Sequence, residues 1–123
     1  MNMTSKERMD LGLHLARTQT LVMKAFRTGL DPNRLDQIEV FVTKFTATLV
    51  EASQDQRFQI MDGTELCIEV MSDRYRQNAQ DDLQAERATR TERALDLAIS
   101  RAIDRLAEME MTGEYESPSF AFG

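Results

Sequence analysis

The sequence predicts an all-α fold, a three- or four-helix bundle built on an N-terminal antiparallel helical hairpin. Three observations predict it. Proline is scarce (two residues) and glycine modest (five) among abundant Ala, Leu, Met, Glu, Gln and Arg, so little interrupts a helix. Helix-start and helix-stop residues recur at suitable spacings. Finally, residues 86–111 carry a long apolar period. Leu95, Ala98, Ile99, Ala102, Ile103, Leu106 and Met109 fall at steps of three and four, which places them on one helical face. Residues 1–112 are expected to form a single helical domain, and residues 113–123 a flexible tail containing three aromatic side chains.

The first helix is expected over residues 5–28. Thr4-Ser5-Lys6-Glu7 has the form of a capping box, in which Thr4 and Glu7 each satisfy a free backbone N–H. Met9, Leu13, Ala16, Thr20 and Met23 keep a helical period, widened by Leu15, Val22 and Phe26, and Gly29 ends the run. The second helix is expected over residues 32–53. Asp31 suits its cap and Pro32 its first position, where a missing N–H costs nothing. Leu35, Ile38, Val42, Phe45, Leu49 and Ala52 supply its apolar stripe. Phe41 lies off that stripe, toward a third helix or a second subunit. The short connection makes the two helices antiparallel.

Residues 54–71 admit two readings. Phe58, Ile60, Leu66, Ile68 and Val70 alternate around Asp62-Gly63, which suits a small β-hairpin near residues 57–71. Alternatively, a helix ends at Asp62-Gly63 and another starts at Thr64, with Asp62 and Glu65 as a capping box. The helical reading is preferred, because an isolated hairpin is marginal in water. From Ser72 to Met111 there is no proline or glycine, yet residues 72–92 are strongly polar. A break near Gln77 to Asp82 is preferred over one continuous helix, with Asp81 or Asp82 capping the last element. Gly113 stops it.

Charge and cysteine usage bound the function. The one cysteine, Cys67, has no internal partner, so an intracellular, cytoplasmic setting is expected. The start MNMTSKERMD lacks the apolar centre of a secretory signal. No apolar run approaches the roughly 20 residues that span a bilayer, and no membrane association is expected. The net charge of −6 opposes direct binding to phosphate backbones. The charge is uneven. Residues 1–53 carry +1, residues 54–86 carry −5 and residues 87–123 carry −2. The arginines of the last helix alternate with acids, as on an ordinary solvated helix surface.

Few residues suggest catalysis. His14 is the only histidine, and with Cys67 it falls short of a zinc ligand set. Cys67 fits better as a small packed hydrophobe. No phosphate-binding glycine loop and no EF-hand loop occurs, so no cofactor is expected. Glu65, Glu69 and Asp73 would share one face of a helix and could hold Mg²⁺ with help from Glu39 or Glu51 on a facing helix. A solvated acidic face is the simpler reading.

The leading expectation is therefore a non-enzymatic protein-binding regulator, inhibitor or adaptor that occupies a basic surface on a protein partner. Asp62, Glu65, Glu69 and Asp73 would steer the encounter. Met61, Leu66, Met71 and Tyr75 would anchor it, with Phe120 and Phe122 of the tail as a further docking element. Homodimerisation is also expected from the broad apolar faces. Two alternatives stand beside this: a metal-dependent all-α nucleotide hydrolase using the helical carboxylates, and a structural assembly component.

Overall fold

A computed structural model of the chain describes residues 3–113. They form four α-helices: α1 (Ser5–Thr28), α2 (Leu35–Glu51), α3 (Gln54–Gln77) and α4 (Asp82–Thr112). The expected all-α bundle is present, with four helices.

Both bonds of the expected capping box start α1. Glu7 N–H donates to the Thr4 hydroxyl, and Thr4 N–H donates to the Glu7 carboxylate. The helix ends at Gly29, whose φ of 81° is open to glycine and strained for other residues. The buried face of α1 is Thr18, Val22, Ala25 and Phe26. This corrects the sequence expectation. The more regular stripe points outward, with Met9 67 % and Leu13 60 % exposed and Ala16, Thr20 and Met23 exposed too. The cause is the partner. α1 packs chiefly against α3, where the tip of Leu15 lies against Gly63 and Phe26 meets Tyr75 with ring centroids 5.5 Å apart.

Helix α2 begins at Leu35, after the expected start. Asp31 forms a turn in place of a cap. Its carboxylate accepts from Asn33 N–H and its carbonyl from Arg34 N–H. Ile38, Val42, Phe45 and Leu49 are fully buried, as their spacing predicts, whereas Leu35 at the frayed start is exposed. Phe41 is also buried, stacked on Phe45 with centroids 5.8 Å apart.

Helix α3 runs unbroken through Asp62-Gly63, so neither the hairpin nor the turn at that point exists. Its buried positions are Gln56, Ile60, Thr64, Ile68 and Ser72, one every fourth residue. Three of the five are polar, and each has a partner. Gln56 donates to the Glu7 carbonyl, Thr64 to the Ile60 carbonyl and Ser72 to the Glu92 carboxylate. Gly63 is kept inside a helix by the closeness of α1, since a Cβ there would lie 2.7 Å from Leu15 Cδ2.

The expected break separates α3 from α4, and Asp81 caps α4 by accepting from Gln84 N–H. Gly113 closes α4 in the left-handed conformation, donating to the Met109 carbonyl. The buried face of α4 is Ala88, Thr91, Ala94, Leu95, Ala98, Ile99, Ala102 and Leu106. Ile103, expected in the core, is partly exposed at its edge. Small residues let α4 lie close to its neighbours. Near its start, Thr91 accepts from the buried Leu30 N–H, and Arg87 donates to the Thr28 carbonyl. The α1–α2 connection is thereby tied to α4.

The packing is not that of four helices paired in chain order. α1 packs on α3, α3 on α4 and α4 on α2, while the α1–α2 seam is lighter. Contacting residue numbers rise together along α1 and α3 (Glu7 with Gln56, Leu15 with Gly63, Phe26 with Tyr75), so these helices are parallel. Ser72 meets Glu92 and Arg57 faces Glu110, so α3 and α4 are antiparallel. α1 and α2 are antiparallel, as expected. Only Ala52-Ser53 joins α2 to α3, and these consecutive helices scarcely touch. At the joint, Arg57 Nε donates to the Leu49 carbonyl at 2.8 Å, and its guanidinium stands 3.9 Å from Glu110 on α4.

Two stability outcomes are expected in chemical denaturation. Gly12 is an exposed α1 glycine with open space around its Cα, so Gly12→Ala should stabilise the fold by about 1 kcal/mol, whereas Gly29→Ala should destabilise it by at least that much through positive φ and collision with Arg87. Arg57→Met keeps the apolar stem and removes the bond to Leu49. It should cost about 1–3 kcal/mol, and a loss below a few tenths would show that the joint does not depend on that bond.

Candidate functional site

The inward residues of α3 recur every fourth position, so the outer face is fixed by what lies between them. Phe58, Asp62, Leu66 and Val70 also recur at four-residue steps and form one exposed column. Phe58 is 67 %, Leu66 61 % and Val70 46 % exposed, large values for side chains of this kind. Glu65, Glu69 and Asp73 flank the column and are exposed. No lysine or arginine occurs between Arg57 and Arg74. Asp73 is paired with Arg76 at 2.8 Å, but Asp62, Glu65 and Glu69 make no ion pair among the described residues. The result is an apolar stripe set in unneutralised negative charge.

The negative field reaches α4. The Asp96 carboxyl is held above the ordinary aspartate range by burial first, then by the neighbouring charges of Glu92 and Glu65. Glu92 is itself held by Arg76 at 2.8 Å and by the Ser72 hydroxyl at 3.0 Å. That network ties the Ser72–Arg76 turn of α3 to α4.

The residues expected from sequence divide into three groups. Asp62, Glu65, Leu66, Glu69 and Asp73 lie together on the outer face of α3. Met61 and Met71 are partly buried and pack against the core. Tyr75 lies between, its ring tilted against Phe26 and its edge accessible. Phe120 and Phe122 lie outside the described residues. The structure adds Phe58 and Val70 to the face. The helical reading of the sequence already sets Leu66 and Val70 on one column, but the turn expected at Asp62-Gly63 separated Phe58 from them.

The arrangement for a metal is not assembled. Among the described residues, no three His, Cys, Asp or Glu side chains converge to hold an ion. Glu39 and Glu51, the supposed helpers of Glu65 and Glu69, belong to α2, which scarcely meets α3. Glu39 pairs with Arg105 and Glu51 with Arg17. His14 stands alone on α1, its Nδ1 buried without a hydrogen-bond partner. Cys67 packs against the core, and burial raises its thiol pKa, which disfavours the reactive thiolate.

No protein-family model matches this chain, and comparison with curated proteins and with solved structures finds no match. No helix among the described residues is long and apolar enough to cross a membrane.

A carboxyl whose pKa is raised by folding opposes the fold at neutral pH, and the opposition disappears once the group is protonated in both states. Asp96→Asn should therefore raise the thermal midpoint at pH 7, and the gain should shrink as pH falls toward about 3. An equal gain at both pH values would mean that the effect is not electrostatic.

Proposed function

We propose that this protein is a non-catalytic binding protein, a regulator, inhibitor or adaptor, that lays the outer face of α3 into an apolar groove rimmed with basic residues on a protein partner. The observation that carries the reading is the exposed column Phe58-Asp62-Leu66-Val70 flanked by Glu65 and Glu69, which make no ion pair among the described residues. A helix that presents apolar anchors at helical spacing is suited to groove binding. The anchors would supply affinity by leaving water, about 1.5–3 kcal/mol for each large side chain fully buried. The carboxylates would speed encounter with a basic surface and repel acidic ones. The half-buried Met61 and Met71 support the helix from behind in this reading. Tyr75 lies at the edge of the contact.

Affinity purification from the native host with wild-type bait, a Leu66→Ala/Val70→Ala bait and a Glu65→Lys/Glu69→Lys bait tests the proposal. One protein should be retained by the wild type and lost with both variants. Its association rate with purified wild-type protein should fall at least several-fold as salt is raised, with dissociation changing less. A captured protein retained equally by all three baits, or no specific partner at low and high salt, would sink it.

A further inference from the structure

The misplaced apolar stripe of α1 points to a second surface. Leu13, Ala16 and Thr20 of that stripe line one side of a groove along the lightly packed α1–α2 seam. Two hollows make it up, of about 430 Å³ near Leu13 and Thr48 and about 290 Å³ near Val40 and Phe41. They share Leu21 and Lys44, so the groove is continuous. Its cations are Lys24, Lys44 and Arg17, and no aspartate or glutamate lines it. Arg17 is answered by Glu51, whereas Lys24 and Lys44 make no ion pair among the described residues. This groove is thus apolar along its floor and positive along its walls, the reverse of the α3 face.

We propose that residues 114–123 of the same chain, EYESPSFAFG, occupy this groove intramolecularly, independently of any partner on α3. The chemistry matches. The segment carries Glu114 and Glu116, the aromatics Tyr115, Phe120 and Phe122, and no cation. Entering by the lower hollow, Glu114 and Glu116 would meet Lys44, and the later phenyl rings would cover Leu21, Val40 and the stem of Lys24. The connection also matches. Helix α4 ends at Gly113, at the end of the bundle where Glu110 faces Arg57 and Arg57 bonds the Leu49 carbonyl. Thr48, the residue before Leu49, lines the lower hollow. Ten extended residues span on the order of 33 Å, the reach available from that end of the bundle toward the groove. A short tether holds its segment at an effective concentration in the millimolar range, so weak contacts suffice in cis and a second copy competes poorly. The segment then shields the apolar face of α1, and an acidic, aromatic ligand for the groove must displace it.

Amide NMR of the full chain tests this. Phe120→Ala/Phe122→Ala, which changes nothing within the described bundle, should shift resonances around Leu13, Leu21 and Lys44. Lys24→Glu/Lys44→Glu should move the resonances of residues 114–123 to those of the isolated peptide, with at least a fivefold fall in the docked population. Both patterns should persist on dilution, and high salt should mimic the lysine variant. Three results would overturn the proposal. Wild-type resonances of residues 114–123 already matching the free peptide would show no docking. Shifts falling instead along the α3–α4 seam near Met61, Ile103 and Met111 would place the segment elsewhere. Loss of the pattern on dilution would assign the contact to a second copy. If the lysine variant unfolds by circular dichroism, the phenylalanine variant still decides.

Discussion

The arrangement of the bundle turns on the joint between α2 and α3. A helix leaves its last carbonyls without internal partners, and two linking residues leave no room for a loop to cover them. Arg57 resolves this from the first turn of α3 by donating to the Leu49 carbonyl. A cation at that end also opposes the negative pole of α2. With the joint held, α3 is directed away from α2 and toward α1 and α4. Glu110 on the far helix then faces the same guanidinium. The neighbours of every helix follow from that direction.

Much of this architecture was legible in the sequence wherever one residue type does one job. The capping box of Thr4 and Glu7, the break before Asp81, the glycine stop at Gly113 and the apolar stripe of α2 all rest on short-range chemistry. The failures share a cause. In α3 the core column includes Gln56, Thr64 and Ser72, so apolar periodicity missed the inward face, and alternation left a strand as the rival to the preferred helix. In α1 the core column includes Thr18 and Ala25, and the regular stripe of larger residues lies outside it. Asp31-Pro32 is compatible with a cap and with a turn, and Asn33 and Arg34 N–H groups decide for the turn. On the candidate face, the acidic series was legible because charge needs no register. Which methionines turn inward depended on the register of α3 against α1 and α4, and no local pattern carries that.

Placing polar groups in the core has an electrostatic corollary. Gln56 and Thr64 donate to carbonyls and Ser72 to Glu92, so α3 needs few apolar residues facing inward. Leucine, valine and phenylalanine are thereby available on its outside. The same economy on α1 leaves Met9, Leu13 and Met23 at the surface. The molecule consequently has two unlike apolar surfaces, one set in acids on α3 and one set in lysines along the α1–α2 seam.

The parallel course of α1 and α3 bears on the order in which the chain acquires its structure. Synthesis proceeds from the N-terminus, so α1 and α2 are complete before α3 exists. During that interval the only helical partner for α1 is α2, through a seam that is lighter in the finished bundle than the one α1 makes with α3. The Leu15–Gly63 and Phe26–Tyr75 meetings close long loops and wait for the later half of the chain. α3 and α4, antiparallel and joined by a short turn, can pair as soon as both are made. The principal support of α1 therefore comes from a helix made after it.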